Sequence, residues 1–262
     1  MDAGLRQSVT RLLVVRVTTM DGGPPHQMTV RPGTRADIDQ AAMVLSRAFA
    51  DVEPFTWIQP DPGLRARIER VMFRAALRYL YPIEHGTEVL EDRGKIMGCA
   101  MWAPPGRWKA SLWPQLQSAA LFIRELGMKN VAEYGRRGRA VEDALQAAHP
   151  AEPHWYLAGI GADRDAQGQG VGTALVRSGT ARCDQEGTHA YLECLFSLVP
   201  YYQGFGFDVT ETPGQGGDHP GPLLVVCLGD RLPDVDHAHR NGRTSTFRLQ
   251  LFDPSAASLS AT

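Results

Sequence analysis

Cysteine is scarce in this chain and follows no pairing pattern. Its four cysteines, Cys99, Cys183, Cys194 and Cys227, form no Cys-x-x-Cys pair and stand in no zinc-like spacing with histidine. That argues against a metal-stapled scaffold or a disulfide framework. Each lies singly in an apolar stretch, reads as a small buried hydrophobe, and fits a reducing cytoplasm. Long apolar runs are also missing, since none nears the ~20 residues that span a bilayer. Charge of one sign does not dominate: 27 Lys and Arg against 29 Asp and Glu leave a formal net charge of -2. Neither nucleic acid nor a membrane is therefore an expected partner. What is present is ordinary for a globular protein, with 262 residues, 43% of them hydrophobic and 21% charged, enough for a substantial core.

Three segments are distinguished. Residues 1–27 read as a disordered leader, weakly like an organelle transit peptide because Arg6, Arg11 and Arg16 surround Leu12-Leu13-Val14-Val15. Met28 opens a clean strand-like Met28-Thr29-Val30-Arg31 and is a candidate start of translation. Residues 28–229 form one domain, and the polar residues 230–262 read as a mostly disordered tail.

Within the domain, Thr29 to Arg31 reads as a strand and Thr34 as the cap of a helix carrying Ile38, Ala41, Ala42, Leu45 and Phe49. A proline-rich turn through Pro54, Pro60 and Pro62 leads to a second helix from Leu64 to Leu80. A hairpin follows, Thr87 to Glu91 and Lys95 to Ala103 about Glu91-Asp92-Arg93-Gly94. Leu112 to Ile123 marks a helix and Val141 to Ala148 a shorter one, with the basic run Arg136-Arg137-Gly138-Arg139 between them. Then come a strand Trp155 to Ala162, a glycine-rich loop, a helix to about Glu186, and a strand His189 to Phe196. A short helix Pro200 to Gly204 and strands Phe207 to Glu211 and Leu223 to Leu228 close the domain. The order predicts one α/β domain with a mixed sheet.

The loop Gln167-Gly168-Gln169-Gly170-Val171-Gly172 joins an apolar strand directly to a helix beginning near Thr173. Glycines let backbone N–H groups approach a ligand, and a helix start adds unpaired N–H groups with partial positive charge, which favours phosphate. A Walker loop needs Gly-Lys-Ser/Thr, and no lysine is present; a dinucleotide loop needs G-x-G-x-x-G, whereas Gly168, Gly170 and Gly172 give G-x-G-x-G.

The remaining pattern, Gln/Arg-x-x-Gly-x-Gly/Ala, is met by Gln167, Gly170 and Gly172. In it the chain resembles the GNAT N-acetyltransferase superfamily, and Tyr201-Tyr202-Gln203-Gly204-Phe205-Gly206-Phe207 is similar to that family's Tyr-x-x-x-Gly-Phe segment. Arg31-Pro32, His154-Trp155-Tyr156-Leu157 and Leu192-Glu193 resemble its puromycin acetyltransferase-like branch. The resemblance spans roughly residues 29–229, and its specific part is 155–207. It implies a mostly antiparallel central sheet flanked by helices, with parallel strands splayed at an acyl-coenzyme A site. It implies acetyl-coenzyme A as co-substrate without a metal, and transfer of the acetyl group to the primary amine of a small molecule, an antibiotic or metabolite. Other readings are an acyltransferase using another acyl-coenzyme A, and a non-catalytic acyl-coenzyme A-binding sensor. Monomer and homodimer stay equally open.

By the resemblance, backbone groups of Ile160, Gly161 and Ala162 pair with pantetheine, and Gln167 to Thr173 hold the pyrophosphate. Tyr202 becomes the general acid, since a phenol with pKa ~10 stays protonated at neutral pH, with Tyr201 in reserve. Glu193 is the first candidate base for the ammonium acceptor and His154 the second. Asp51 and Glu53 are candidates to bind a cationic acceptor, and Trp102, Trp108 and Trp113 to wall its pocket. The family's asparagine before the short helix is absent; Ser197 is a weak substitute. His237 and His239 read as solvated tail residues.

Overall fold

The computed structural model describes residues 13–17, 26–211 and 224–229. The tail from 230 onward, His237, His239, Arg6 and Arg11 lie outside the described residues. Two strands open the chain, β1 (Leu13–Val17) and β2 (His26–Pro32), paired antiparallel. The segment read as leader thus contains a strand: three valines in five residues favour an extended backbone, and β2 offers an edge to pair with.

Thr34 caps a 3-10 turn, Arg35–Asp37, that runs into α1 (Ile38–Phe49). The proline-rich stretch is not a simple turn. Pro54 sits in the first turn of α2 (Glu53–Ile58), where its missing N–H costs nothing, so the residue read as a breaker starts a helix. Helix α3 (Pro62–Ala75) continues through a π turn, Ala76–Leu80. The expected hairpin is present as β3 (Glu88–Asp92) and β4 (Lys95–Ala103). Helix α4 spans Leu112–Leu126 and α5 Met128–Ala148. The basic run Arg136 to Arg139 therefore lies inside one long helix and not between two. Neither Gly135 nor Gly138 interrupts it: a β-carbon at residue 138 would meet Ile58 of α2 only at 4.0 Å, ordinary contact, and one at residue 135 would meet nothing within 4 Å.

The second half follows as β5 (His154–Ala162), α6 (Val171–Glu186), β6 (His189–Leu195), α7 (Val199–Gln203), β7 (Phe207–Glu211) and β8 (Leu224–Gly229). The strands form a single sheet in the order β1-β2-β3-β4-β5-β6-β8-β7, antiparallel throughout except for β5 and β6. This is the mixed, mostly antiparallel sheet expected.

Both sheet faces are covered, and β4 shows how. Cys99 and Met101 pack with α1 and α3, whereas Ala100 and Trp102, one residue out of phase, pack with α6. Helix α6 rests close on the sheet because residue 98 is glycine; a β-carbon there would lie 2.3 Å from Val171 at the start of the helix. A third cluster, including Ile68, Val71, Leu121 and Leu126, joins α3 to α4. Buried aliphatic side chains of this kind contribute roughly 1.5–3 kcal/mol each. Cys99, Cys183 and Cys194 are buried, as expected of small hydrophobes.

One irregularity positions the site. Trp102 opposes Leu157 and Met101 opposes Gly159, so Ala158 is an extra residue in β5. A bulge bends its strand. Immediately beyond it β5 and β6 part: their parallel pairing runs from His154↔His189 to Leu157↔Leu192 and stops.

Candidate active site

Past Leu157, among the described residues, β5 from Gly159 to Ala162 pairs with β4 alone, and its pairing with β6 has ended. A cavity of about 1040 Å³ opens at this parting. Ile160, Gly161, Ala162 and Gln167 line it, and so do both catalytic candidates, Glu193 from β6 and Tyr202 from α7. Residues far apart in sequence are thus gathered by the parting of two strands.

The glycine loop stands at one end. Asp163 accepts from the Asp165 N–H to shape the turn after β5 and is paired with Arg47 of α1 at 3.1 Å. Gly168 and Gly170 have φ of 77° and 79°, the left-handed conformation that disfavours a side chain, and a β-carbon at either would meet nothing within 4 Å. Helix α6 then starts, and Ala174 N–H donates to Gly170 O at 2.9 Å. The amides of Val171, Gly172 and Thr173 precede that first helical bond, so they carry the partial positive charge of a helix start. Tyr201 closes the loop from above, its hydroxyl bonded to Thr173 and its acidity lowered chiefly by burial. A strand edge without a partner, a small-residue concavity and a positive helix start fit an extended pantetheine arm ending in a pyrophosphate.

At the other end the walls are mostly aromatic and apolar: Phe49, Phe55, Tyr81, Trp108, Tyr134 and Tyr156. Glu193 is the only carboxylate among the described lining residues, while Lys109 and Arg139 are basic. Tyr156 donates its hydroxyl hydrogen to Glu193, and burial, with that carboxylate beside it, holds the phenol well above its ordinary pKa. His149 stacks on Trp108 with ring centroids 3.7 Å apart, and its Nδ1 lies 3.9 Å from Oε1 of Glu193. His154, buried and with its pKa lowered by desolvation, contacts His149 at 2.9 Å between Nε2 atoms.

Some expected groupings do not form. Trp102 is buried against Gly179 of α6, and Trp113 is 68% exposed on α4, so only Trp108 of that trio reaches the cavity. Asp51 is paired with Arg164, and Glu53 is exposed at the start of α2; neither lines the cavity. Ser197 is exposed and also outside the lining. His154 does not line the cavity, and touches it only through His149. His149 and Tyr156 carried no sequence signal as site residues. One follows a helix end and the other sits mid-strand, and only the fold sets them beside Glu193. Among the described residues no group of His, Cys, Asp or Glu could hold a metal ion, and no helix is long and apolar enough to cross a membrane.

Comparison with known proteins agrees with this geometry. Residues 49–207 match the acetyltransferase (GNAT) family, and the chain belongs to it. An acetyltransferase from Corynebacterium glutamicum, described as histone acetyltransferase HPA2 and related acetyltransferase, is similar at 29% identity with a TM-score of 0.58, over 79% of this chain and 98% of that one. The fold is shared with a putative arylalkylamine N-acetyltransferase 7 of the yellow fever mosquito, at 13% identity and a TM-score of 0.53, over 85% of this chain and 96% of the other. It is shared also with an N-acetyltransferase of Staphylococcus aureus, at 14% identity and a TM-score of 0.50, over 76% and 98%. The protein is an acetyltransferase, and enzymes of this family take acetyl-coenzyme A as co-substrate.

Proposed function

We propose that the enzyme transfers acetyl from acetyl-coenzyme A to the primary amine of a small molecule, an antibiotic or metabolite, as in the puromycin acetyltransferase-like branch its motifs resemble. The observation that carries this reading is that Tyr202 and Glu193 line one cavity, opened where β5 and β6 part and flanked by the glycine loop. Acetyl-coenzyme A supplies the activated acyl thioester. The β5 edge from Ile160 to Ala162 aligns the pantetheine arm, and Gln167 to Thr173 receive the pyrophosphate. Tyr202 delivers a proton to the leaving sulfur, and Glu193 holds the acceptor's ammonium. The aromatic walls and single carboxylate suit a monoamine with an apolar or aromatic body better than a polycation. Buried Cys99, Cys183 and Cys194, in no disulfide among the described residues, accord with action in a reducing cytoplasm.

The test is thiol release from acetyl-coenzyme A in the presence of an amine panel spanning aromatic monoamines, aliphatic monoamines and polyamines. Release with the aromatic monoamines supports the reading. Absence of release with every amine, from folded protein, removes it, and preference for a longer acyl thioester would reassign the donor.

A further inference from the structure

On the reading that this cavity acetylates an amine, we propose that His149 is the base that takes the acceptor's proton, with His154 as the residue that sets its tautomer and Glu193 as its counter-charge. Hydrogen bonding, together with the desolvation that disfavours a charged His154, sets the chain of protons. Nδ1 of His154 lies 2.7 Å from the carbonyl oxygen of Glu152, which can only accept, so Nδ1 carries the hydrogen. A buried, neutral His154 then has a bare Nε2. That nitrogen is 2.9 Å from Nε2 of His149, so His149 must donate there. The remaining nitrogen of neutral His149, Nδ1, is therefore the one with a free electron pair. It faces Glu193 at 3.9 Å, and both residues line the cavity.

Two acceptors facing one another, nearly buried with side-chain exposures of 3% and 8%, make a place for a hydrogen-bond donor. An ammonium group fits it, and so does the imidazolium–carboxylate pair left after the proton moves. Trp108 holds the imidazole plane by stacking, and Tyr156 orients Glu193 with its own hydrogen bond. The titratable and charged groups around His149 are His154 and Tyr156 of β5, Tyr191 and Glu193 of β6, and Lys109 beside Trp108. Glu152 contributes its carbonyl through His154.

The balance closes. One proton passes from the ammonium to Nδ1 of His149, and the freed amine attacks the acyl carbon. The C–N bond forms and the C–S bond breaks; sulfur takes the phenolic proton of Tyr202, and the nitrogen returns a proton to the phenolate. His149 releases its proton to water at the end of the cycle, which leaves the net products amide, thiol and one proton.

Two measurements test this. In the free protein with 15N-labelled histidine, NMR at pH 8 should show His149 as the Nε2–H tautomer and His154 as the Nδ1–H tautomer. The opposite tautomer at His149 overturns the assignment whatever the substrate proves to be. In the thiol-release assay, His149→Gln keeps a donor towards His154 but removes the titratable nitrogen. It should lower kcat/KM about 100-fold at neutral pH, abolish the acidic limb of the pH profile, and leave acetyl-coenzyme A affinity within twofold. Wild-type release with His149→Gln within threefold of it overturns the proposal. A wild-type enzyme silent with every amine overturns instead the function on which the catalytic role rests. Should His149→Gln fail to fold, the tautomer measurement on the wild type still decides.

Discussion

The Tyr201 hydroxyl lies over Gly172, so that a β-carbon at residue 172 would come within 3.1 Å of it. This couples the start of α6 to the short helix α7, through residues 29 apart in the chain, beside the parting of β5 and β6. Adding a methyl group there pushes Tyr201 and its bond to Thr173 outward. Gly172→Ala is expected to weaken acetyl-coenzyme A binding about tenfold, near 1.4 kcal/mol, by calorimetry, with a melting temperature close to wild type. Gly170→Ala acts differently. At φ 79° with open space around it, the alanine is strained and costs roughly 1–2 kcal/mol of stability, which thermal unfolding will read.

Tyr202→Phe removes the hydroxyl proposed as proton donor while keeping the ring that packs against Tyr201 and Phe207. Turnover should fall about 100-fold, with coenzyme affinity unchanged by equilibrium titration. Turnover equal to wild type would take the acid role away from Tyr202 and turn attention to Tyr201.

Asp37 accepts from both terminal nitrogens of Arg31 at 2.7 and 2.9 Å and also bonds Thr34. The Arg31 hydrogen bond is the largest cause of its pKa falling from 3.8 to about 2. A carboxylate with a depressed folded pKa stabilises the protein above its unfolded value, and that stability is lost as pH falls from about 4 to 2. Asp37→Asn should cost about 2 kcal/mol at pH 7 and much less near pH 2, as urea unfolding at the two pH values will show.

Glu69 behaves in the opposite sense. It is fully buried with both carboxylate oxygens lacking a hydrogen bond, and Arg65, 3.9 Å away, donates instead to carbonyls of Ala50, Gln59 and Pro60. Burial raises the Glu69 pKa to about 7, against the pull of Arg65. The folded form binds the proton more tightly than the unfolded one, so stability declines as pH rises from about 4.5 to 7. Glu69→Gln should melt higher than wild type at pH 8 and lose that advantage at pH 5. A lower melting temperature at pH 8 would show that the charge is accommodated.

Much of the fold was legible because its elements carry local periodicity. The β3–β4 hairpin, the β5–loop–α6 unit and the α1 stripe each repeat on the period of their own geometry. Two misreadings inside the domain came from treating a local feature, a proline or a basic run, as a boundary without regard to its position. Pro54 starts a helix, and the run Arg136 to Arg139 lies within one.

The sequence by itself pointed to a phosphate-bearing ligand, and the family resemblance named the coenzyme. Loop glycines, a helix start and a missing lysine are local properties of Gln167 to Thr173, and no distant residue is needed to read them. Only the tertiary structure decided the acceptor end. There Trp108, His149, Tyr156 and Glu193 come from four separated segments that line one cavity where the pairing of β5 with β6 ends. Hydrogen-bond direction between His149 and His154 depends on distances across that assembly, and no spacing along the chain encodes it.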